Sequence, residues 1–430
     1  MAGVQWPVAS ADGGAGLGTD SLLVSGNWQL ATGNFVQAPR ATRCAFVSTN
    51  SITQGEQVGI LWPWLLAHGI HIRFAHRSFQ WSNEARANAT VHCVIIGFGL
   101  GDCPDKRIFS YVDAQGTPQE STVANISPYL TDGPSTVVTK RRQPLDSVPA
   151  MRCGNMPNDG GHLLLTDAER ADLLSAEPAA APFIKRFVGA EEFINNHSRW
   201  CLWLPDVSPS KLRSMPRVLA RVEHVRAFRM ASTAEPTRRA AQTPARFFFV
   251  SHPPGDYLLV PEVSSHRRQY IPIGFMPSGV ISSNTNFIIG TPSLYLFGML
   301  HSQMHMAWTR LVGGRLGNGY RYSPALVYNT FPWPKEGHEN RRTRIESAAQ
   351  SVLHARSQFP NECLASLYDP ASVPPLLVSA HRKLDAAVDE AYSYAAGPSD
   401  AARVAFLLRL YSNLTSILPP EESPRGRKKR

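Results

Sequence analysis

The sequence has 430 residues, of which 43% are hydrophobic and 18% charged, so its composition excludes a disordered chain and its length predicts two or three domains. Lysine and arginine outnumber aspartate and glutamate by 43 to 33, and the net charge of +10 favours a polyanionic partner such as nucleic acid. No apolar run reaches the ~20 residues that cross a bilayer, and six cysteines without a Cys-x-x-Cys pair are typical of a reducing compartment, so we expect a cytoplasmic protein.

The first 42 residues show no sustained periodicity, and no strand precedes their glycine run at 13–18, as a nucleotide-binding loop would require. From Arg43 onward the pattern changes. A short apolar strand is predicted over 44–48, a helix through 57–61, a second strand over 70–74, and an apolar, central third strand over 91–98. This order predicts an α/β sheet domain over 43–143.

The region 144–335 mixes helices with short β-like runs. Thr166 is a predicted N-cap, with carboxylates in the first helical turn. Pro216 opens a second helix whose apolar stripe is Val218, Val222 and Val225. Three β-like runs follow at 247–250, 257–260 and 270–273. Helices predicted over 344–359, 376–394 and 401–418 indicate a helical region at 336–420, before a basic tail at 421–430.

Polar and aromatic residues collect where the predicted strands end. Ser48, Asn50 and Ser51 follow the first strand, which is where α/β enzymes place a ligand rim. Phe79 and Trp81 have the same parity, so in an extended segment they share one face. Packing in the core is the alternative interpretation of both rings.

The positive charge is concentrated rather than spread along the chain. Between Lys211 and Arg268 there are eleven Lys/Arg residues and four Asp/Glu residues. A solvated helix face is one interpretation. The other is contact with nucleic acid, because arginine neutralises phosphates and reads guanine edges.

Two further patterns resemble functional motifs without their supporting residues. His301 and His305 have the spacing of zinc ligands on a helix, but no third ligand accompanies them, and a core or interface helix is the better interpretation. Ser127-Pro128-Tyr129 resembles the Asn-Pro-Pro-aromatic loop of amino methyltransferases, yet lacks its Asn and second Pro, and is predicted to be a turn. We predict no metal site.

Several long blocks resemble one family, the MmeI-like adenine-specific DNA methyltransferases of restriction–modification systems. The blocks are FVSTNSITQGEQVGILWP (46–63), HRSFQWSNEA (76–85), VHCVIIGF (91–98), GNMPNDGGHLLL (154–165), FIKRFVGAEEFINN (183–196), RWCLWLPD (199–206), YIPIGF (270–275), MHMAWTR (304–310) and the run from Tyr320 to Pro334. Residues 367–389 are similar to the C-terminal helical region of that family.

The resemblance implies a fold and a role for each part. It implies an α/β plus α+β chain: a partial Rossmann-like AdoMet-methyltransferase sheet at 43–143, a mixed target-recognition domain at 144–335 and a helical domain at 336–420. Phe79 or Trp81 would stack on a flipped adenine, beside a rim of Ser48, Asn50 and Ser51. Double-stranded DNA would be the partner. Base readers would be His266, Arg267, Arg268 and Gln269, and phosphate contacts would be Arg238, Arg239 and Arg246.

The sequence departs from the family in its cofactor and catalytic motifs. In the family, an AdoMet glycine loop and an Asn-Pro-Pro-aromatic loop precede the FVSTNS block, and neither occurs in this sequence. We therefore expect an N-terminally truncated chain with an incomplete S-adenosyl-L-methionine site, which binds DNA but has doubtful activity alone. The alternatives are a non-catalytic specificity subunit acting with a separate chain that carries the missing half, and a general nucleic-acid-binding protein.

Overall fold

A five-stranded mixed sheet opens the fold in our computed structural model, which describes residues 43–81, 91–111, 117–335 and 339–416. Its strands are β1 (Arg43–Thr49), β2 (Ile70–Trp81), β3 (Val91–Leu100), β4 (Lys106–Ser110) and β5 (Gln119–Val123), and helix α1 (Glu56–Ala67) connects β1 to β2. The spatial order of the strands is β1-β3-β2-β4-β5. The predicted strand-helix-strand order and the position of β3 between two neighbours are confirmed, and β2 runs seven residues beyond its predicted end.

Strand direction brings two carboxyl ends together. Strand β3 pairs antiparallel with both β1 and β2, so β1 and β2 run in the same direction on either side of it. The register places Cys93 opposite both Thr49 and Phe79. The last residues of β1 and of β2 therefore lie at the same edge of the sheet.

Helix α1 covers one face of this sheet through a small apolar stripe. Val58 and Trp62 are buried and belong to the same core as Ile72 and Ile96. The indole nitrogen of Trp62 donates to the carbonyl of Ile52 over 2.7 Å. This bond fixes the helix against the turn that follows β1.

The middle of the chain contains three small sheets. Their strands are β6 (Met151–Cys153), β7 (Leu164–Leu165), β8 (Ile184–Val188), β9 (Trp200–Leu202), β10 (Tyr257–Pro261), β11 (Val263–Ser264), β12 (Gly274–Met276), β13 (Val280–Ser282), β14 (Asn286–Ile289), β15 (Gly314–Leu316) and β16 (Gly319–Arg321). The spatial orders of the three sheets are β12-β10-β14-β6, β13-β8-β9-β7 and β11-β16-β15.

The helices of this region confirm the predicted caps and stripes. They are α2 (Asp167–Ala176), α3 (Ala190–Asn195), α4 (Pro209–Arg213), α5 (Pro216–Met230), α6 (Glu235–Ala240), α7 (Leu294–Leu300) and α8 (Gln303–Val312). Thr166 caps α2 in a reciprocal box with Glu169. Val218, Val222 and Val225 of α5 are buried and form part of a core separate from that of the first sheet.

The predicted strand at 247–250 is wrong. This segment contributes an isolated bridge, from Phe249 to Met156, and no ladder. Phe247 is buried and packs edge-on against Phe187 and Trp203, with ring centroids 5.9 and 5.1 Å away. The run is apolar because its rings fill a core, which apolar composition alone does not distinguish from strand pairing.

The predicted strand at 270–273 is also wrong, and strand β12 begins only at Gly274. Pro272 has no N–H to give to a ladder. The hydroxyl of Tyr270 instead donates to Asp385 over 2.7 Å, in a helix 115 residues further along the chain. The side chains are buried by tertiary contacts rather than by a sheet.

Four helices complete the described chain: α9 (Glu339–Ser357), α10 (Leu364–Leu367), α11 (Pro375–Ala391) and α12 (Asp400–Thr415). One continuous hydrophobic core contains Ile96 of the first sheet, Trp308 of α8 and Leu384 of α11. The helical region is thus packed against the rest of the chain. Within the described ranges, no helix is long and apolar enough to span a membrane.

Candidate functional site

The ends of β1 and β2 meet through a side-chain hydrogen bond. The amide nitrogen of Asn50, just after β1, donates to the hydroxyl oxygen of Ser78 in β2 over 2.9 Å. Phe79 follows at once and lies level with Thr49 across β3. Polar and aromatic residues predicted from two separate segments therefore lie together. We call this surface the rim, and its residues are Ser48, Asn50, Ser51, Ser78, Phe79 and Trp81.

The turn after β1 holds the Asn50 side chain in one orientation. Gln54 donates to the Asn50 amide oxygen over 2.9 Å, and the Thr53 hydroxyl donates to the Asn50 carbonyl over 2.9 Å. The hydroxyls of Thr49 and Ser51 are hydrogen-bonded over 2.7 Å. Half-buried Ser48 lies two residues before Asn50, still within β1. With one hydrogen bond to each end of its amide, Asn50 keeps a further N–H and a further lone pair for a ligand.

Phe79 and Trp81 form one aromatic group with a third ring. Their ring centroids are 6.1 Å apart, and that of Tyr111 lies 5.2 Å from Phe79. Phe79 is half-buried, whereas Trp81 is 48% exposed and keeps a face available. The two rings therefore lie on the same side of strand β2, as their spacing predicted.

Tyr111 was not predicted as part of this group. It follows β4, which pairs parallel with β2, so the end of β4 reaches the same edge of the sheet. Its hydroxyl is hydrogen-bonded to the His76 ring over 2.8 Å. Burial lowers the pKa of His76 and raises the pKa of Tyr111, so both groups are neutral at pH 7. A neutral aromatic wall suits an uncharged base.

The predicted base readers lie on the turn between β11 and β12. His266, Arg267 and Gln269 are exposed and Arg268 is half-buried. The Arg267 guanidinium reaches the Asp369 carboxylate over 3.4 Å. Burial lowers the pKa of Arg268. This turn therefore contacts the helical region as well as solvent.

The three predicted phosphate contacts are exposed around α6. Arg238 donates to the carbonyls of Ser232 and Thr233 over 2.9 and 2.7 Å, and Arg239 forms an ion pair with Glu235. Among the described residues, the Arg246 side chain has no ion-pair partner. Arg238 and Arg246 thus keep their charge available.

Intramolecular ion pairs reduce the basic surplus counted between residues 211 and 268. Its paired arginines contact carboxylates in five salt bridges, Arg217–Asp172, Arg221–Glu169, Arg226–Glu223, Arg239–Glu235 and Arg267–Asp369. Three of those acids, Glu169, Asp172 and Asp369, lie outside the counted segment. Three of the arginines in the segment are therefore paired with acids outside it.

Arg229 has a structural position rather than a surface one. Its guanidinium is fully buried and donates to five backbone carbonyls. These belong to Pro157, Asn158, Ala240, Thr243 and Arg246, at distances of 2.8 to 3.2 Å. One side chain therefore fixes the loop after β6, helix α5 and the end of α6 together.

His301 and His305 are both buried, as expected for core residues, but the expectation that they share one helix is wrong, because His301 follows α7 and His305 lies in α8. Arg356 lies 3.2 Å from the His301 ring, and the His305 ring is hydrogen-bonded to the Tyr322 hydroxyl over 2.9 Å. Burial lowers the pKa of both rings, that of His305 to about 3. The described residues contain no cluster of three or more His, Cys, Asp or Glu that could hold a metal ion.

The Ser127-Pro128-Tyr129 segment forms a turn, as predicted.

Comparison with known proteins gives consistent matches along the chain. Family models match in three segments: the MmeI DNA-methyltransferase domain over residues 19–110, the MmeI target recognition domain over 132–335 and the MmeI C-terminal domain over 337–419. DNA methyltransferase A of Bacillus subtilis (strain 168) is 43% identical over 373 residues, which are 87% of this chain and 42% of that protein.

A solved structure is similar over the same extent. The Type IIL restriction-modification enzyme MmeI in complex with DNA matches with a TM-score of 0.83 and 52% identity, over 87% of this chain and 50% of that one. The chain therefore spans about half the length of the relatives it matches.

Proposed function

We propose that this chain, which belongs to the MmeI family of DNA methyltransferases, supplies the target-base rim and the DNA-recognition surface of a site-specific adenine-N6 DNA methyltransferase. The proposal rests chiefly on one observation. Asn50 and Ser78 are joined at the edge where Phe79 and Trp81 lie. A methyltransferase must take its target base out of the duplex, and such a base needs both aromatic faces and polar acceptors.

Each part of the rim has a proposed task. Trp81, with its exposed face, stacks on the flipped adenine, and Phe79 supports that ring from the half-buried side. Asn50, held by Ser78 and Gln54, offers its remaining N–H and lone pair to the edge of the base. Ser48 and Ser51 line the rim beside it.

The recognition surface is proposed to bind double-stranded DNA. The turn His266–Gln269 presents three exposed polar side chains that can reach base edges, and we assign base reading to it. We assign phosphate contacts to Arg238, Arg239 and Arg246. Positive charges grouped around one short helix can fix the position of the protein on the duplex, but contacts to phosphates carry no sequence information.

S-adenosyl-L-methionine is implied by the family, but the described rim does not fit it. A cofactor ribose is commonly held by a carboxylate, and residues 43–55 and 70–81 contain no aspartate or glutamate. We therefore assign no residue to the cofactor. The rim residues are proposed to bind and orient the base only.

The free edge of β1 supports a second component. Among the described residues β1 pairs with β3 alone, and its Phe46 and Val47 are 45% and 60% exposed. Central strands of α/β sheets are normally covered on both faces. We propose that the cofactor-binding half of a methyltransferase domain packs against this edge.

Two experiments test these proposals separately. The purified full chain should enrich one adenine-containing sequence from a pool of randomised duplexes, and an unchanged pool would argue against site-specific recognition. Titration of the chain alone with radiolabelled AdoMet should show no saturable binding. Tight binding by this chain would contradict the assignment of the cofactor site to that other half, while leaving DNA recognition unaffected.

A further inference from the structure

A cavity of about 400 Å³ joins the rim to the recognition region. One wall is formed by Asn50 and Gln54 after β1, and by Arg77 and Ser78 in β2. The opposite wall is formed by Arg310 at the end of α8 and Arg315 in β15. The two residues of the Asn50–Ser78 bond thus line the cavity, whereas Phe79 does not.

The two walls are held together by a close backbone approach. Gly55 has a φ of 62°, and a Cβ at this position would lie 3.3 Å from the Cα of Gly314. The hairpin of β15 and β16 is therefore seated directly on the turn that follows β1. This contact places Arg315, the residue after Gly314, close to the turn that carries Asn50 and Gln54.

The cavity is positively charged. Its lining residues include three arginines and one aspartate, which leaves a formal charge of +2. Arg310 already has partners within the protein, since it forms an ion pair with Asp400 over 2.7 Å and donates to the Gln269 carbonyl over 2.8 Å. Arg77 and Arg315 have no carboxylate partner among the described residues.

Both unpaired guanidinium groups keep donors available. Arg77 donates through Nε to the Leu130 carbonyl over 3.0 Å, which leaves its terminal nitrogens without a described partner. The Arg315 guanidinium lies 4.1 Å from the centroid of the Tyr320 ring, and this stacking restrains the plane of a guanidinium group that also lines the cavity.

The positive charges also oppose one another. Burial lowers the pKa of Arg315, and the neighbouring charge of Arg310 lowers it further, although Tyr320 partly offsets both effects. Like charges that share a cavity are relieved by a bound anion. A phosphate suits this position, because arginine forks bind its oxygens bidentately and the Ser78 and Thr131 hydroxyls supply further donors.

We propose that Arg77 and Arg315 together bind one DNA backbone phosphate adjacent to the flipped nucleotide. The inference rests on the proposed function and adds a specific anion site to it. The cavity lies between the base-receiving rim and the turn His266–Gln269, whose last carbonyl accepts from Arg310. Arg310 thus connects the cavity directly to that turn.

The test measures the salt dependence of duplex binding by the purified full chain. Arg77→Gln and Arg315→Gln should each weaken binding to all sequences alike and reduce the slope of log K against log salt by about one. The salt slope of the double variant should also fall by only about one, because both residues contact the same phosphate. Arg409→Gln, which removes an exposed arginine of α12, is the matched control and should leave the slope unchanged.

The possible outcomes separate the two proposals. A wild-type chain without affinity for any duplex would overturn the proposed function and the anion site with it. If the wild-type chain binds duplexes and Arg315→Gln has the same affinity and salt slope as Arg409→Gln, the anion site alone would be overturned. If the salt slope of the double variant falls by about two, the two arginines contact separate phosphates, and the proposal of one shared phosphate would be contradicted.

A conservative variant covers the case in which Arg315→Gln fails to fold. Arg315→Lys keeps the charge but not the fork, so it should retain the salt slope while binding more weakly. A folded Arg315→Lys chain whose salt slope falls by about one would contradict the proposal. Thermal unfolding of each variant provides the folding control.

Discussion

Asn50 donates its side-chain N–H to the hydroxyl of Ser78 over 2.9 Å, although the two residues are 28 positions apart in the chain. The bond exists because β3 lies between β1 and β2 and forces both to end at one edge. A polar turn and an aromatic strand end thereby become one surface. The proposed handling of the target base depends on this junction.

Loss of the Trp81 ring should impair binding of the flipped base. Trp81→Ala removes an exposed stacking face, and stacking of one base on an aromatic ring contributes about 1–3 kcal/mol. With 2-aminopurine in place of the target adenine, we expect Trp81→Ala to abolish most of the fluorescence increase on binding. Trp64→Ala, which removes a 64% exposed indole from α1, is the matched control and should behave as wild type. Equal losses in both variants would contradict the stacking role.

Arg267 and Arg239 should differ in what they contribute to DNA binding. Both are exposed and each contacts one carboxylate, Asp369 or Glu235, so their replacement by alanine removes equivalent groups. Arg267→Ala should change the sequence enriched from randomised duplexes, while Arg239→Ala should weaken all sequences alike. Competition binding with the enriched and scrambled duplexes measures the difference. If both variants shift the preferred sequence equally, the assignment of separate roles is wrong.

Replacement of Arg229 should destabilise the recognition region strongly. Arg229→Met leaves five carbonyl oxygens without their buried donor, and we expect a loss of roughly 3–5 kcal/mol in the free energy of unfolding. Arg226→Met, in the same helix, breaks only a surface pair with Glu223 and should cost less than about 1 kcal/mol. Urea denaturation of both variants tests this. Similar costs would show that the buried donor is not what holds the loops.

Buried His305 should make the fold sensitive to acid. Its folded-state pKa of about 3 lies below the ordinary value of 6.5, so the unfolded chain takes up the proton first and stability is lost as pH falls below 6.5. Between pH 7 and pH 5 this amounts to about 2 kcal/mol. His305→Gln should reduce the pH dependence of unfolding by about that much. The exposed control His197→Gln should not, and an unchanged pH dependence in His305→Gln would refute the assignment.

Local rules were sufficient for part of the fold. The capping box of Thr166 and Glu169 and the valine stripe of α5 depend on spacing within a single helix, and both were predicted. The segments 247–250 and 270–273 were mistaken for strands, because their burial comes from partners that are distant in sequence, such as Trp203 and Asp385. Apolar composition does not reveal which kind of contact buries a residue.

The residues of the candidate rim were selected one by one from the sequence, but their arrangement was not predicted. Asn50, Phe79 and Trp81 were singled out from two segments, whereas Tyr111 was missed because its proximity depends on the parallel pairing of β2 with β4. For the same reason, the count of charges between residues 211 and 268 did not show which of the arginines are paired. Arg267 meets Asp369 across 102 residues, a pairing that no local pattern indicates.

The central claim is that this chain takes an adenine of its recognised duplex into the rim of Asn50, Phe79 and Trp81. The most direct measurement substitutes 2-aminopurine for each adenine of the enriched sequence in turn and follows its fluorescence as the full chain is added. The account predicts a large increase at one position only, because only the flipped base leaves the stack. A duplex that is bound with no increase at any position would contradict it.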